Sequence, residues 1–282
     1  MPIADLPERG VVEISGEDRV AFLQGLVSND VSLARPGAPL AEAVWAALLT
    51  PQGKWLAEFF VVPGNETLLL DAEAALVPSL IQKLSRFRLR SRASLRDASA
   101  EFVVQAGWGD SAPPPGGIAF ADPRLPQAGW RRLRPAAEPG GDAPAEEYDR
   151  HRLALGLPDG SRDLEAEKSV LLEAGFDELR GVSWTKGCYM GQELTARTKY
   201  RGLLKRRLVP VAVEGSLPPR GTPVLRDGVE VGEMRSGRDA RGIALLRLDA
   251  IRAGTLLCGE ARLRPEPAAW MQLPVAAEAA GA

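Results

Sequence analysis

The sequence predicts an α+β protein that ends in a small antiparallel β-barrel. Three observations carry that reading. Apolar runs form two hairpin-like pairs between residues 43 and 70. Helical spacing of apolar residues marks 15–30 and 72–85. From Leu208 onward, short apolar runs alternate with Gly/Pro turns.

In chain order, Ser15-Gly16-Glu17-Asp18 reads as a helix start with Ser15 as N-cap, and Val20, Leu23 and Val27 follow at helical spacing. Residues 43–49 and 55–62 read as strands about a turn at Pro51-Gln52-Gly53-Lys54. A second hairpin turns at Pro63-Gly64-Asn65 and returns through Leu68-Leu69-Leu70. Residues 72–85 read as an amphipathic helix around Pro78. In 86–92 arginine recurs at every second position, a strand period that would place four guanidinium groups on one face. The stretches 110–117 and 134–147 are rich in Pro, Gly, Ala and acids and read as loops, the second as a mobile linker. A helix is expected from Tyr148, broken near Gly156-Leu157-Pro158, and Asp227-Gly228 is a hairpin signal in the barrel. The expected division is 1–207 as two lobes, 208–275 as the barrel and 276–282 as a frayed tail.

Composition narrows the function classes. The chain has 282 residues, 45% hydrophobic and 26% charged, long enough for a sizeable core. Two cysteines, Cys188 and Cys258, make neither a disulfide framework nor a paired metal motif, and His151 is the single histidine. Cys-His or Ser-His catalysis would therefore have to use a residue with no motif around it. Neither a GxGxxG nor a GxxxxGK[ST] loop is present. No apolar stretch reaches the ~18 residues of a spanning helix, and the start of the chain does not read as a secretory signal, so a cytoplasmic location without a membrane partner is expected. Charge is segregated: 86–96 carries five arginines and no acid, and 186–207 carries seven basic residues against Glu193 alone.

The chemistry concentrates in Lys186-Gly187-Cys188-Tyr189-Met190-Gly191-Gln192-Glu193. Cys188 precedes a helix expected to start near Gly191 or Gln192. The partial positive charge of a helix start, with Lys186 nearby, would make a reactive thiol. Read from the residues alone, Cys188 is equally a small packing residue. Cys258, in a strand-like run, reads as core.

This block, with its continuation to Arg197 and Tyr200-Arg201-Gly202, resembles the signature of the YgfZ family, related in fold to the aminomethyltransferase (T-protein) of the glycine cleavage system. Phe22-Leu23-Gln24-Gly25-Leu26, Ser28-Asn29-Asp30-Val31 and Pro51-Gln52-Gly53-Lys54 match in order and spacing. The resemblance implies a three-lobed aminomethyltransferase-like folate-binding fold with a C-terminal β-barrel. It implies tetrahydrofolate or a derivative as cofactor, and an accessory role in assembly or repair of iron–sulfur clusters, including those of tRNA-modifying enzymes. Partners would be iron–sulfur assembly proteins or client cluster enzymes, with no direct tRNA contact. The subtype resembles the mitochondrial assembly factor through Glu193-Leu194-Thr195-Ala196-Arg197-Thr198. By the same resemblance Cys188, Lys186 and Asp30 are the candidate catalytic residues, and Asn29, Asp30, Gln192 and Arg197 the candidate folate contacts. No intrinsic metal site is implied, only a transient iron or cluster contact at Cys188. The folate enzymes carry a Glu-Ala-Gly step where this chain has Ala154-Leu155-Gly156, so a second pterin-binding carboxylate is missing there. A folate-dependent aminomethyl transferase or demethylase, and a tRNA-binding module, stand as alternatives. The whole expectation turns on Cys188, Asp30 and the 86–92 arginines facing one positively charged hollow.

Overall fold

In a computed structural model, which describes residues 2–252 and 254–273, the chain folds into two antiparallel sheets, six helices and a closed barrel. The expected frayed tail at 276–282 lies outside the described residues.

Strands β1 (Ile3–Asp5) and β2 (Arg9–Ser15) lead into a single helical turn and a half, α1 (Arg19–Gln24). Ser15 closes β2, paired with Thr67 and Ser94, so it does not cap the helix; the helix starts four residues later and stops at Gly25. Strands β3 (Val44–Leu49), β4 (Trp55–Pro63) and β5 (Thr67–Glu73) form the two expected hairpins. Helix α2 (Val77–Ser85) carries Pro78 in its first turn, where a missing N–H costs nothing. The expected strand over 86–92 is absent: the stretch turns, and β6 begins only at Ser94, running to Asp97. A strand needs one face covered, and Phe87 and Leu89, which would supply it, are 43% and 90% exposed.

The first sheet has the order β3-β4-β5-β2-β6, with α1 and α2 on one face. Their interface buries Leu23, Val27, Leu80 and Leu84 against Phe59, Val61 and Leu70. The second sheet is built from β1, β7 (Phe102–Gly107), β8 (Ile118–Ala121) and β9 (Trp130–Pro135), in the order β1-β7-β9-β8. The stretch read as a mobile linker is pinned here. Arg134 bonds Asp5 and the carbonyls of Pro135 and Glu138, and Ile3 bonds Asp142 and Ala143.

Helix α3 (Ala145–Leu155) ends on Gly156 in the left-handed conformation, α4 (Gly160–Asp163) follows, and α5 (Gln192–Tyr200) begins within the last two residues of the Cys188 block. The barrel closes in the order β10-β13-β12-β11-β14-β15, from β10 (Arg206–Glu214) through β11 (Pro223–Arg226), β12 (Val229–Arg238), β13 (Arg241–Arg247), the short α6 (Leu248–Ile251) and β14 (Leu256–Cys258) to β15 (Ala261–Pro265). Cys258 is fully buried in its interior, and burial pushes its pKa to about 11, as suits a packing thiol. One large core joins the two sheets, the 164–182 segment and the near face of the barrel, centred on Trp45 stacked on Phe176 at 3.9 Å. Among the described residues no helix is long and apolar enough to cross a membrane.

Candidate functional site

The three motif blocks, far apart in sequence, converge on one point. Lys186, 8% exposed, reaches back to α1 and donates from Nζ to the carbonyl oxygens of Gln24 (2.6 Å), Val27 (2.8 Å) and Asn29 (2.7 Å). Met190 N–H adds a bond to Gly25 O at 3.2 Å. On the other side, Gly191 sits at φ +80° with its Cα against Thr50 O and Gly53, and Gly53 at φ +79° faces Leu194 and Gly191 O. A Cβ on either would lie 2.5–2.7 Å from the opposing chain, so the two turns need glycine for both backbone angle and approach. Cys188 is exposed at the outside of this braced turn, and α5 begins four residues beyond it.

Of the remaining predicted residues, Asn29, Asp30 and Gln192 bond beside this brace and Arg197 lies apart from it. Asn29 is buried; its Nδ2 donates to Trp45 O and Arg180 O, and its Oδ1 accepts from Asp30 N–H. Asp30 caps the 3-10 turn Val31–Leu33, accepting from Ser32 N–H at 3.0 Å, from Ser32 Oγ at 2.6 Å and from Gln24 Nε2 at 2.9 Å. The Ser32 bonds, with Gln24 and Lys186, outweigh burial and hold the Asp30 carboxyl below its ordinary pKa. Gln192 accepts from Tyr189 N–H at 3.3 Å, and Arg197 pairs loosely with Glu193 at 4.0 Å. Lys186 spends its protons on three carbonyls, so it is a structural tie rather than a free charge beside the thiol. Burial pushes its pKa down to about 8, with Asp30 pulling the other way.

The enclosed hollow lies elsewhere. A cavity of about 520 Å³ opens between the two sheets and α3, and neither Cys188, Asp30 nor the 86–92 arginines line it. The expectation of one shared hollow is thus corrected. The arginine loop and the thiol turn flank α1, which packs on the Phe59 and Val61 face of the first sheet, whereas Glu58 and Phe60 of the cavity lie on its other face. Glu58 on β4, 3% exposed, accepts one bond, from Gly160 N–H at 3.1 Å, through Oε1. Its Oε2 has no partner among the described residues. Burial raises the Glu58 pKa to about 7, against the pull of Arg124 and Arg9. Guanidinium groups of Arg9, Arg124 and Arg131 stand 5.9, 5.0 and 4.5 Å from the Phe60 ring, two positions along β4 on the same face. Each is held in place: Arg9 and Arg131 by buried Asp71 at 2.6 and 2.8 Å, Arg124 by Asp122 at 2.7 Å. Tyr148 Oη accepts from Arg131 at 3.0 Å. On α3, burial works against ionised Asp149, but Arg162, Arg152 and Arg238 hold its carboxyl well below the usual range.

The pocket suits a planar heterocycle bearing N–H donors. The orphaned Glu58 oxygen would accept from adjacent N–H groups, and Phe60 and Tyr148 offer apolar faces, while the arginines of the wall are already paired with acids. A pterin ring fits that donor set. Ala154, where the folate enzymes carry glutamate, is exposed on α3 and not part of the lining. The residues of this cavity were missed from sequence. The one available signal was Glu58 itself, a lone acid inside the apolar run Trp55-Leu56-Ala57-Glu58-Phe59-Phe60-Val61-Val62.

Comparisons with known proteins fit this geometry. A family described as "CAF17, C-terminal beta-barrel domain" matches residues 205–273. The iron–sulfur cluster assembly factors IBA57 of Mus musculus and Homo sapiens, both described as mitochondrial, are each 33% identical over 88% of this chain and 78% of their own length. The mitochondrial homolog of Mycosarcoma maydis is 38% identical over 77% of this chain, which spans 59% of that relative's length. The crystal structure of the glycine cleavage system aminomethyltransferase T from Bartonella henselae superposes with a TM-score of 0.71 over 96% of this chain and 86% of the other, at 14% identity. The predicted aminomethyltransferase-like fold with its terminal barrel is therefore observed. The expected cytoplasmic location is overturned, because the relatives are mitochondrial proteins.

Proposed function

We propose that this chain, which belongs to the IBA57 family of iron–sulfur cluster assembly factors, works through two separate centres: an exposed thiol that meets iron, sulfur or a cluster, and an internal cavity that holds a folate. The single observation behind the first centre is the bracing of the Cys188 turn. A surface cysteine kept only for packing needs no three-carbonyl lysine tie and no pair of interlocked glycines. Cys188 supplies one thiolate, and a four-thiolate cluster requires the others from a partner protein. The partner is an iron–sulfur assembly protein or a client enzyme, in the compartment the relatives occupy.

The folate reading rests on the orphaned carboxylate oxygen of Glu58 beside the guanidinium-lined wall. When bound, the folate would supply one-carbon or redox chemistry; the chain orients it through Glu58 and excludes water with Phe60 and Tyr148. A buried acid poised near pH 7 can also move a proton, which favours a folate-dependent transfer reaction as the second reading. Clients that modify tRNA and a YgfZ-like specialisation are finer proposals within the first reading. So is the division into a folate-protein-like region at 1–207 and a barrel from 208.

The test is complementation in cells lacking the native copy, reading the activity of cluster-dependent enzymes. Cys188→Ala is expected to fold normally and to lose rescue. Full rescue by Cys188→Ala would remove the thiol from the mechanism.

A further inference from the structure

The loop between α2 and β6 presents apolar side chains that the fold leaves uncovered. Leu89 is 90% exposed and Phe87 43%. Between and around them Arg86, Arg88 and Arg90 are all exposed, and no acid pairs with any of the three among the described residues. Leu89 holds φ +35°, a backbone angle an L side chain rarely adopts, at the loop's tip. The loop's base is fixed. Phe87 N–H bonds Leu84 O at 3.0 Å and Ser91 N–H bonds Arg88 O at 2.6 Å. Arg92 N–H bonds Asp18 Oδ2 at 2.7 Å, and its guanidinium pairs with Glu17. The two acids nearest the loop are thus engaged by Arg92, at its foot. Beneath, the loop and Ala21, Phe22 and Leu26 of the α1 region line an open hollow of about 400 Å³.

A braced tip with outward Leu and Phe and three unpaired guanidinium groups is the chemistry of an interfacial anchor. The apolar tips enter the acyl boundary while the arginines bond lipid phosphates in pairs. We propose that loop 86–92 adsorbs this protein onto the surface of an anionic phospholipid bilayer. A protein partner fits the observations less well, because the hollow of about 400 Å³ between the loop and Ala21, Phe22 and Leu26 is wide open and leaves Leu89 90% exposed. Single-stranded RNA fits less well too: Phe87 is the loop's only aromatic platform, and an extended leucine gains little from bases. The expectation that the chain has no membrane partner came from hydropathy, which detects spanning helices and not a two-residue apolar tip. The inference rests on neither the thiol nor the cavity, so its failure would leave both in place.

The test is flotation of the purified full chain with vesicles of phosphatidylcholine alone and of phosphatidylcholine mixed with cardiolipin, at low and high salt. Binding is expected only to the anionic vesicles and is released by salt as screening shortens. Replacing Arg86, Arg88 and Arg90 together by serine is expected to lower the partition coefficient about a hundredfold, at about fivefold per arginine. Leu89→Ser should lower it about tenfold, and Arg247→Ser, on the barrel, should leave it unchanged. All five positions are solvent-exposed, so circular dichroism and Tm should not move. No binding to anionic vesicles, equal binding to neutral ones, or undiminished binding by the loop variants would overturn the proposal. So would retardation of a single-stranded RNA by the wild type without vesicle binding.

Discussion

Lys186 reaches across from the thiol-bearing turn and bonds the carbonyl oxygen of Asn29 at 2.7 Å, the last of three carbonyls its ammonium gathers at the end of α1. One buried side chain thus ties two sequence blocks that lie far apart along the chain. Lys186→Met would keep the stem's volume and strand those carbonyls. The expected loss is about 2–4 kcal/mol, read as a fall in urea midpoint without a change in slope. Cys188 should also become less uniform in its alkylation rate as the turn loosens.

The interlocked glycines give a sharper contrast. Gly191→Ala would force a Cβ to within 2.5 Å of Thr50 O at φ +80°, at a cost of about 1–3 kcal/mol. Gly187→Ala, four residues from it on the other side of the thiol, meets nothing within 4 Å and should stay within about 0.5 kcal/mol of wild type. Thermal melts of the pair check this; equal effects would mean that the two turns do not touch.

Glu58 makes stability depend on pH with a definite sign. Its folded pKa, about 7, lies above the ordinary 4.5, so between those values the folded state binds the extra proton. Its contribution is fully present below about pH 4.5 and is lost as pH rises through 7. At full burial the effect is at most about 3 kcal/mol. Glu58→Gln should flatten that part of the profile and raise Tm relative to wild type at pH 8. Melts across pH 4.5–8 would show it, and a profile unchanged by the substitution would contradict the assignment.

Asp30 should behave in the opposite way. Its carboxyl is held low, chiefly by Ser32, so its stabilisation is present above the ordinary carboxylate pKa and is lost as pH falls through the lower folded value. Asp30→Ala removes a cap and should cost about 1 kcal/mol, with the loss shrinking in acid.

The strands and helices of the sheets and barrel were legible because their periods are local. Residues 55–62 form a nearly continuous apolar run buried on both faces, as a central strand is, and Asp227-Gly228 closes a hairpin where the barrel requires one. The Cys188 block was legible as a motif, but the exposure of its thiol was not, because nothing in the local sequence says what covers it. Two things were hidden. The 86–92 arginines have a strand's period, yet period alone cannot say whether another element covers the alternate face; here none does. The cavity was hidden because its lining comes from β2, β4, β9, α3, the loop bearing Arg124, the 158–162 stretch and β12, segments with no shared local pattern. Asp30, matched by motif to a ligand-binding acid, caps its own turn through Oδ1, while a second acid with an unpartnered oxygen sits on β4 twenty-eight positions later.

The most direct measurement is calorimetry of tetrahydrofolate binding to the wild type, Glu58→Gln and Asp30→Asn. The account predicts that the wild type binds, that Glu58→Gln weakens binding about tenfold or more through loss of a charge-assisted pair, and that Asp30→Asn leaves affinity unchanged. Binding that survives at Glu58→Gln but fails at Asp30→Asn, or no binding by the wild type, would contradict it.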